Sequence, residues 1–201
     1  MNRWDVINFL IDTNQYNRYL EIGYGTGLNF HNIVLKDKTS VDIGHGVNQG
    51  DSFCQYLMPS SEFFEMARGN KFDKYDIVFI DGSHTAKDVK EDITNSLEFL
   101  ADKGTIVVHD CNPIKYEHQT VPGTDPSHWN GDVWKAFLSF RSSREDLFMC
   151  VVDTDEGCGI VQRGRQNLFP TLAEELITYS YLEENRKELL NLISVEEFLE
   201  S

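Results

Sequence analysis

Short apolar runs alternate along this chain with longer segments in which apolar side chains recur every three or four residues. The short runs are typical of buried strands, and the periodic segments are typical of amphipathic helices. This alternation predicts an α/β fold, in which parallel strands are joined by helical crossovers. The predicted strands are Tyr19–Ile22, Ser40–Ile43, Gln55–Met58, Asp76–Asp81, Gly104–Asp110, Leu147–Asp153 and Gly159–Arg163.

The clearest predicted helix is Thr85–Leu100, which has an apolar face and a charged face. Its apolar face carries Ala86, Val89, Ile93, Leu97 and Leu100, and its charged face carries Lys87, Asp88, Lys90, Glu91, Asp92 and Glu98. Further helices are predicted at Trp4–Ile11, Leu28–Leu35, Ser61–Arg68, Asp132–Phe140 and Thr171–Leu192. Only residues 154–158 separate the last two strands, which is too short for a parallel crossover. We therefore expect a mainly parallel, seven-stranded sheet that ends in an antiparallel hairpin, with helices on both faces.

The length of 201 residues and the 40 % hydrophobic content predict one domain with a sizeable core. Within residues 1–201, we expect an N-terminal helix at 1–17, the sheet and its helices at 18–164, and an acidic helical tail at 171–201. Residues 111–131 are predicted to form an irregular loop that follows a strand, and such loops commonly cover ligands. We expect a substrate lid there, with Tyr116, His118 and Trp129 as a wall, and Trp134 in the core.

The chain carries 33 acidic and 18 basic residues, a formal net charge of −15. This charge disfavours binding to nucleic acid or to an anionic membrane. No apolar run approaches the ~20 residues that span a bilayer, and no apolar signal-peptide segment follows the first residues. The cysteines, at positions 54, 111, 150 and 158, form no C-x-x-C pair, so we expect reduced thiols and a cytoplasmic protein. The apolar stripe of the tail is a candidate surface for a homo-oligomer.

A glycine-rich turn, Gly23-Tyr24-Gly25-Thr26-Gly27, joins a predicted strand to a predicted helix. Glycines at alternate positions permit positive φ and let a ligand approach the backbone, although a purely structural turn is the alternative. The dinucleotide pattern G-x-G-x-x-G requires a glycine where Leu28 stands. Glu21, two residues before the first glycine, would repel a diphosphate and attract a cation.

The acidic residue followed by three glycines resembles the first motif of class I S-adenosylmethionine-dependent methyltransferases, whose cofactor carries an ammonium and a sulfonium and no phosphate. The resemblance implies a Rossmann-like methyltransferase fold. The cofactor ligands that it implies are Glu21, Gly23, Tyr24, Gly25 and Gly27.

Two further residues are candidate cofactor ligands. Asp42 ends the next predicted strand, where an acidic side chain can bond ribose hydroxyls, and a turn or capping role is its alternative. In the family, the segment after the third strand packs on the adenine. This places Ser61 near the ring, unless Ser61 only caps a helix.

Two aspartates, Asp81 and Asp110, end neighbouring predicted strands, with His84 and His109 beside them. The ends of parallel strands meet at one edge of a sheet, so we expect these four side chains to face one volume. Carboxylates this close repel unless a cation lies between them, and hard divalent ions prefer oxygen ligands. The alternative is that each aspartate caps the segment that follows it.

Asp-Gly-Ser-His at 81–84 and His-Asp at 109–110 are similar to a subgroup of small-molecule O-methyltransferases that includes macrolide and sugar enzymes. This likeness covers roughly residues 19–164. It implies Asp81, Asp110 and His109 as a Mg²⁺ site, with Asp81 and His84 as catalytic residues and His84 as the base. In the metal-dependent relatives an Asp or Asn adjacent to the second aspartate is the third ligand. Here Cys111, a poor Mg²⁺ ligand, follows Asp110, and Asn112 is the substitute.

The sequence therefore predicts an S-adenosylmethionine-dependent enzyme that methylates a hydroxyl of a small, sugar-like molecule, with Mg²⁺ as an optional second cofactor. The sulfonium methyl is already activated, so the protein has to align an oxygen and remove its proton. One alternative is a nicotinamide-dependent oxidoreductase on a related fold, which Leu28 and Glu21 disfavour. Others are a non-catalytic cofactor-binding module and N-methylation of a small amine.

Overall fold

The computed structural model describes residues 1–44, 54–124 and 128–201, whose strands form a single sheet of eight. Its strands are β1 Arg18–Ile22, β2 Asp37–Asp42, β3 Tyr56–Leu57, β4 Tyr75–Ile80, β5 Leu100–Val108, β6 Leu147–Val152, β7 Cys158–Arg163 and β8 Leu192–Ile193. Their order across the sheet is β3-β2-β1-β4-β5-β7-β6-β8. The predicted fold class is confirmed.

The first five strands pair in parallel, and β7 is antiparallel to both β5 and β6. The predicted hairpin at the end of the sheet is therefore present. The predicted number of seven strands was one too few, because β8 pairs with β6 in parallel. This strand has only two residues, too few for a periodic pattern to reveal it.

Helices cover both faces of the sheet. They are α1 Arg3–Asn14, α2 Leu28–Asn32, α3 Ser60–Asn70, α4 Ala86–Phe99, α5 Val133–Arg141, α6 Tyr179–Leu190 and α7 Val195–Leu199. One apolar core lies under α3, α4, α5 and α6 and includes the fully buried Trp134. A second core, on the opposite face, lies under α1, α2 and α7. Among the helices of the described residues, none combines the length and the hydropathy needed to cross a bilayer.

Two predicted helices are shorter in the structure than their apolar periodicity suggested. The second helix ends at Asn32, because Asn8 of α1 hydrogen-bonds the Asn32 carbonyl and the Val34 N–H, at 2.8 and 3.1 Å. The long C-terminal helix begins at Tyr179, not at residue 171, since Thr178 caps its first turn. Asn191 ends it in the left-handed conformation at φ 47°. Both differences come from hydrogen bonds that the apolar pattern does not reveal.

The packing of α6 predicts a large difference between two leucines near the end of the chain. Leu189 is fully buried, whereas Leu199 is 45 % exposed. Leu189→Ala should lower the free energy of unfolding by about 2–5 kcal/mol, because it leaves a cavity in the core. The matched control Leu199→Ala should change it by no more than about 0.5 kcal/mol. Urea denaturation measures both, and equal effects would contradict this placement of α6.

Candidate active site

The glycine-rich turn lies between the end of β1 and the start of α2. Gly23, Gly25 and Gly27 have φ values of 91°, 52° and 77°. A Cβ at Gly23 would overlap the backbone of Asp81 and Gly82, so the close approach of β1 and β4 requires glycine there. No atom lies within 4 Å of the place where a Cβ of Gly25 would be. The turn thus presents bare backbone at Gly25.

An open cavity of about 570 Å³ lies beside this turn, along the ends of β1, β2 and β4 and against α4. Its volume suits a cofactor-sized ligand. Among the described residues of its wall there are five acidic side chains and neither lysine nor arginine. The five are Asp42, Asp81, Asp88, Glu91 and Asp92. A wall of this kind attracts a cationic ligand and repels a phosphate.

Asp42 and Ser61 both line the cavity, as do Gly23 and Gly25. The Oδ2 of Asp42 accepts the N–H of Gly25 at 2.9 Å, and its Oδ1 accepts the N–H of Gly44 at 2.6 Å. Each carboxylate oxygen keeps a second lone pair, so Asp42 can hold the glycine turn and still accept a hydrogen bond from a ligand hydroxyl.

Glu21 does not lie on the cavity wall. Side chains alternate along β1, and Glu21 shares the face of Tyr19, while Ile22 faces the other core. The Tyr19 hydroxyl and the Asn29 amide nitrogen, the latter at 2.8 Å, donate to its Oε2. Its Oε1 has no hydrogen-bond partner among the described residues. Burial raises the pKa of Glu21 to about 8.

Two more predicted ligands also lie off the wall. The Tyr24 hydroxyl is 3.1 Å from Nε2 of His31, and Gly27 is the residue that precedes α2. Both residues belong to the glycine turn but do not line the cavity. Direct cofactor contact by Glu21, Tyr24 and Gly27 therefore stays a prediction that the geometry does not support.

The ends of β4 and β5 bring Asp81, His84, His109 and Asp110 together, as the sequence predicted. Nδ1 of His109 is 3.3 Å from both Asp81 Oδ1 and Asp110 Oδ2. Burial disfavours the charged imidazole, but the two carboxylates outweigh it and raise the pKa of His109 well above its ordinary value. Asp110 has φ 63°, a strained conformation for a residue with a Cβ.

The ring of His84 is held by the backbone and ring of Trp129. Nδ1 of His84 is 2.6 Å from the carbonyl oxygen of Trp129. A carbonyl oxygen only accepts, so Nδ1 carries the hydrogen and the lone pair of the neutral imidazole is on Nε2. The two rings stack with centroids 4.7 Å apart and planes at 18°. Both residues line the cavity, where Nε2 is a candidate proton acceptor.

Of the predicted substrate wall, only Trp129 reaches the cavity. His118 is buried and stacks on His128 at 5.3 Å between centroids. Tyr116 is exposed and contacts the edge of Tyr179. The short 3-10 helix Tyr116–Gln119 accounts for this, because it turns the two side chains away from the sheet edge. The predicted lid also includes residues 125–127, which lie outside the described residues.

Sequence reasoning missed Arg3. Its Nη1 donates to Asp81 Oδ2 at 2.8 Å, and its Nε donates to Asp155 Oδ2 at 3.0 Å. Burial alone would raise the pKa of Asp81, but His109 and Arg3 outweigh it and lower that pKa. A lone arginine that is 78 positions from its partner leaves no local pattern in the sequence.

Asp92 is a second missed residue. The helical pattern assigned Asp92 to the charged, solvent-facing side of α4, and this assignment was wrong. The side chain is only 3 % exposed and accepts a hydrogen bond from Ser60 Oγ at 2.5 Å. The first turn of α3 covers this part of α4, and burial raises the pKa of Asp92 to about 7.

The candidate metal ligands differ in part from the predicted set. Ligand atoms of Asp81, His84 and Asp110 lie within 4.8 Å of one another, so His84 takes the place predicted for His109. The predicted substitute, Asn112, is directed elsewhere. Its Nδ2 donates to Asp153 Oδ1 at 3.0 Å, and its Oδ1 accepts from Arg186.

This donor set does not match the requirements of Mg²⁺. The ion prefers six oxygen ligands in octahedral geometry, and here one of the three donors is a histidine. Both oxygens of Asp81 already face Arg3 and His109. Asp110 Oδ1 accepts from Asn130 Nδ2 at 2.8 Å, and its Oδ2 faces the two histidines. Magnesium therefore stays a prediction without support from these contacts.

A family model described as a methyltransferase domain matches residues 20–111, just under half of the chain. The matched segment begins in β1 and ends after β5, so it contains the glycine turn, Asp42 and both strand-end aspartates. This segment of the chain is therefore similar to a methyltransferase domain. No curated protein sequence matches the chain.

Solved structures of methyltransferases show the same fold as this chain. The O-methyltransferase from Bacillus cereus in complex with S-adenosylhomocysteine is 10 % identical, with a TM-score of 0.59 over 81 % of this chain and 80 % of that one. TomG from Streptomyces achromogenes, an O-methyltransferase involved in tomaymycin synthesis and crystallised with S-adenosylmethionine, is 16 % identical. Its TM-score is 0.57 over 80 % of this chain and 79 % of that one. The methyltransferase PaMTH1 of Podospora anserina is 12 % identical, with a TM-score of 0.59 over 81 % of this chain and 78 % of that one.

Two buried acids, Glu21 and Asp92, predict how the stability of the protein depends on pH. Because burial raises the pKa of Glu21 to about 8 and that of Asp92 to about 7, both favour the fold in their neutral form. This contribution is complete below the unfolded pKa and is lost as pH rises through the folded pKa. The loss is about 1.4 kcal/mol for each pH unit that separates the two pKa values. Unfolding free energy should therefore fall between about pH 4 and pH 8.

Glu21→Gln and Asp92→Asn should each flatten this decline, since neither amide titrates. Urea denaturation at several pH values measures the effect. The exposed Glu174 provides a control, because Glu174→Gln should keep the slope of the unmodified protein. A decline that is unchanged in both buried-site variants would contradict the assignment.

Proposed function

We propose that this chain transfers the methyl group of S-adenosylmethionine to a hydroxyl oxygen of a small molecule. The observation that carries the proposal is the acidic cavity beside the glycine turn, whose described wall includes no lysine or arginine. S-adenosylmethionine carries positive charge and no phosphate, so such a wall favours it over the diphosphate of a nicotinamide cofactor. The structural neighbours give the oxidoreductase alternative no support.

The cavity residues suggest how the cofactor is held. Gly23 and Gly25 present backbone to it, and Asp42 accepts hydrogen bonds from its ribose hydroxyls. Ser61 and Asp92, which also line the cavity, would contact the adenine. Glu21 lies on the opposite face of β1, where it accepts hydrogen bonds from Tyr19 and Asn29 behind the glycine turn.

The cofactor supplies a methyl group bonded to a positively charged sulfur. The protein's task is then to orient an acceptor oxygen and take its proton. We assign Nε2 of His84 as the atom that accepts the proton of the acceptor hydroxyl. The Trp129 carbonyl holds the hydrogen of the neutral imidazole on Nδ1, so Nε2 has the free lone pair. Asp81 Oδ1, at 3.9 Å from Nε2, stabilises the imidazolium that results.

The acceptor would lie between His84 and Trp129, and the described residues of the predicted lid, 111–124 and 128–131, would cover it. Trp129 is 39 % exposed, so part of its ring is available to a ligand. Two of the structural neighbours are named O-methyltransferases, which favours oxygen over nitrogen as the acceptor atom.

The net charge of −15 disfavours nucleic acid as a partner. Residues 1–201 would act as one domain, the unpaired cysteines support a cytoplasmic location, and a homo-oligomer stays a prediction.

The cofactor assignment predicts that Asp42→Asn weakens binding of S-adenosylhomocysteine roughly ten- to hundredfold, because hydrogen bonds to a charged group are worth about 1.5–3 kcal/mol. Asp37→Asn is the matched control, since Asp37 begins the same strand and its side chain is 63 % exposed. Isothermal titration calorimetry measures both affinities. No binding heat for either S-adenosylmethionine or S-adenosylhomocysteine with the unmodified protein would rule out the proposed function.

The base assignment predicts that His84→Gln lowers kcat by about 10²–10⁴. Affinity for S-adenosylhomocysteine should stay within about threefold, a change typical of substitutions that remove no binding contact. Methyl transfer to a library of small hydroxyl compounds, with amines included, provides the assay. Full turnover in the variant would exclude His84 as the base. Cofactor binding without transfer to any acceptor would favour a non-catalytic module.

A further inference from the structure

The carboxylates at the ends of β4 and β5 are neutralised by positive groups of the chain itself. Arg3, in the first turn of α1, places Nη1 2.8 Å from Asp81 Oδ2 and 3.4 Å from His109 Nδ1. His109 in turn lies 3.3 Å from Asp81 and 3.3 Å from Asp110. A guanidinium and an imidazole therefore occupy the surroundings of Asp81 that a cation would otherwise fill.

Arg3 is held firmly from its other side. Asp155 accepts its backbone N–H at 2.7 Å, its Nε at 3.0 Å and its Nη2 at 3.3 Å. The carboxylate of Asp155 projects from the turn between β6 and β7, in which Asp155, Glu156 and Gly157 all have positive φ.

That turn is itself fastened to the end of β5. The carbonyls of Gly157 and Glu156 accept the N–H groups of Cys111 and Asn112, at 3.0 and 2.9 Å. These two residues directly follow Asp110. The position of the guanidinium is thus fixed relative to both strand-end aspartates, and the half-buried Arg3 side chain does not need to be recruited from solvent.

We infer that Arg3 takes the place of a divalent cation in this site, so that Asp81 and Asp110 stay together and face His84 without a metal ion. The effect of Arg3 on methyl transfer rests on the proposed function. The replacement of a cation by the guanidinium of Arg3 does not depend on that function. Arg3 is a positioning residue that acts through Asp81. An ion that approached Asp81 would meet the guanidinium at close range, and like charges a few ångströms apart repel strongly.

Titration of the full chain with Mn²⁺ alone, followed by electron paramagnetic resonance, tests the inference without any turnover. The unmodified protein should show no tight Mn²⁺ site. Arg3→Gln should bind one Mn²⁺ at least about tenfold more tightly, because the repelling charge is gone. Adding Asp81→Asn to that variant should abolish the site. Arg144→Gln is the matched control, since Arg144 pairs with the exposed Asp146 on the surface, and it should behave like the unmodified protein.

Two results would overturn the inference. One is a Mn²⁺ site in the unmodified protein that Asp81→Asn removes, because Arg3 would then coexist with an ion. The other is a folded Arg3→Gln variant that binds Mn²⁺ no better than the unmodified protein. If circular dichroism shows that Arg3→Gln does not fold, Asp155→Asn replaces it. That change loosens Arg3 and should give an intermediate Mn²⁺ affinity, and an affinity equal to that of the unmodified protein would count against the inference.

Where methyl transfer is measurable, a second readout separates positioning from stability. Turnover of the unmodified protein should be the same with EDTA, and kcat of Arg3→Gln should fall at least about tenfold and recover in part with Mn²⁺. Affinity for S-adenosylhomocysteine should stay within about threefold. A purely structural arginine would give no Mn²⁺ recovery. If no acceptor is ever methylated, the proposed function fails while the Mn²⁺ titration still decides the role of Arg3.

Discussion

The parallel pairing of β1 with β4 is the constraint on which the rest of the site depends. Ile22 lies beside Ile80 in register, and the next residues of the two strands, Gly23 and Asp81, approach so closely that a Cβ does not fit between them. This contact places the glycine turn and the first aspartate at one edge. The cavity, the histidine pair and the acidic wall are all arranged around that edge.

Charge is distributed unequally on the two sides of Asp81. On the cavity side the described wall carries acidic side chains and no lysine or arginine, which leaves a field suited to a cationic ligand. On the other side Arg3 and His109 supply the positive charge that two neighbouring aspartates require. Asp81 belongs to both environments, and it can stay ionised because the second environment compensates for the first.

The parts of the fold that were predictable from the sequence depend on local periodicity. A regular apolar pattern predicts strands β4 and β5 and helix α4. The hairpin of β6 and β7 was predicted because its connection is too short for a parallel crossover. The meeting of Asp81 with Asp110 followed from the parallel sheet alone. For the strands, the helix and the hairpin, a short window of sequence contains the signal that predicts the element.

The parts that were not predictable depend on contacts between distant segments. Periodicity shows that side chains of β1 alternate, but tertiary packing decides that Glu21 turns away from the cavity. Asp92 follows the charged pattern of α4 and is nevertheless buried under α3. The role of Arg3 in the site depends on its hydrogen bonds to Asp81 and Asp155, which are far along the chain.

The bond between Arg3 and Asp155 has a consequence for how the protein is made. The two residues are 152 positions apart, so this contact closes a loop that contains most of the sheet. A ribosome releases Arg3 early and Asp155 late, and contacts of such separation form slowly because ordering the intervening chain costs entropy. The strand-end aspartates are therefore complete as a group only after the final hairpin has been synthesised. The acidic site is assembled in the finished molecule and not in its nascent fragments.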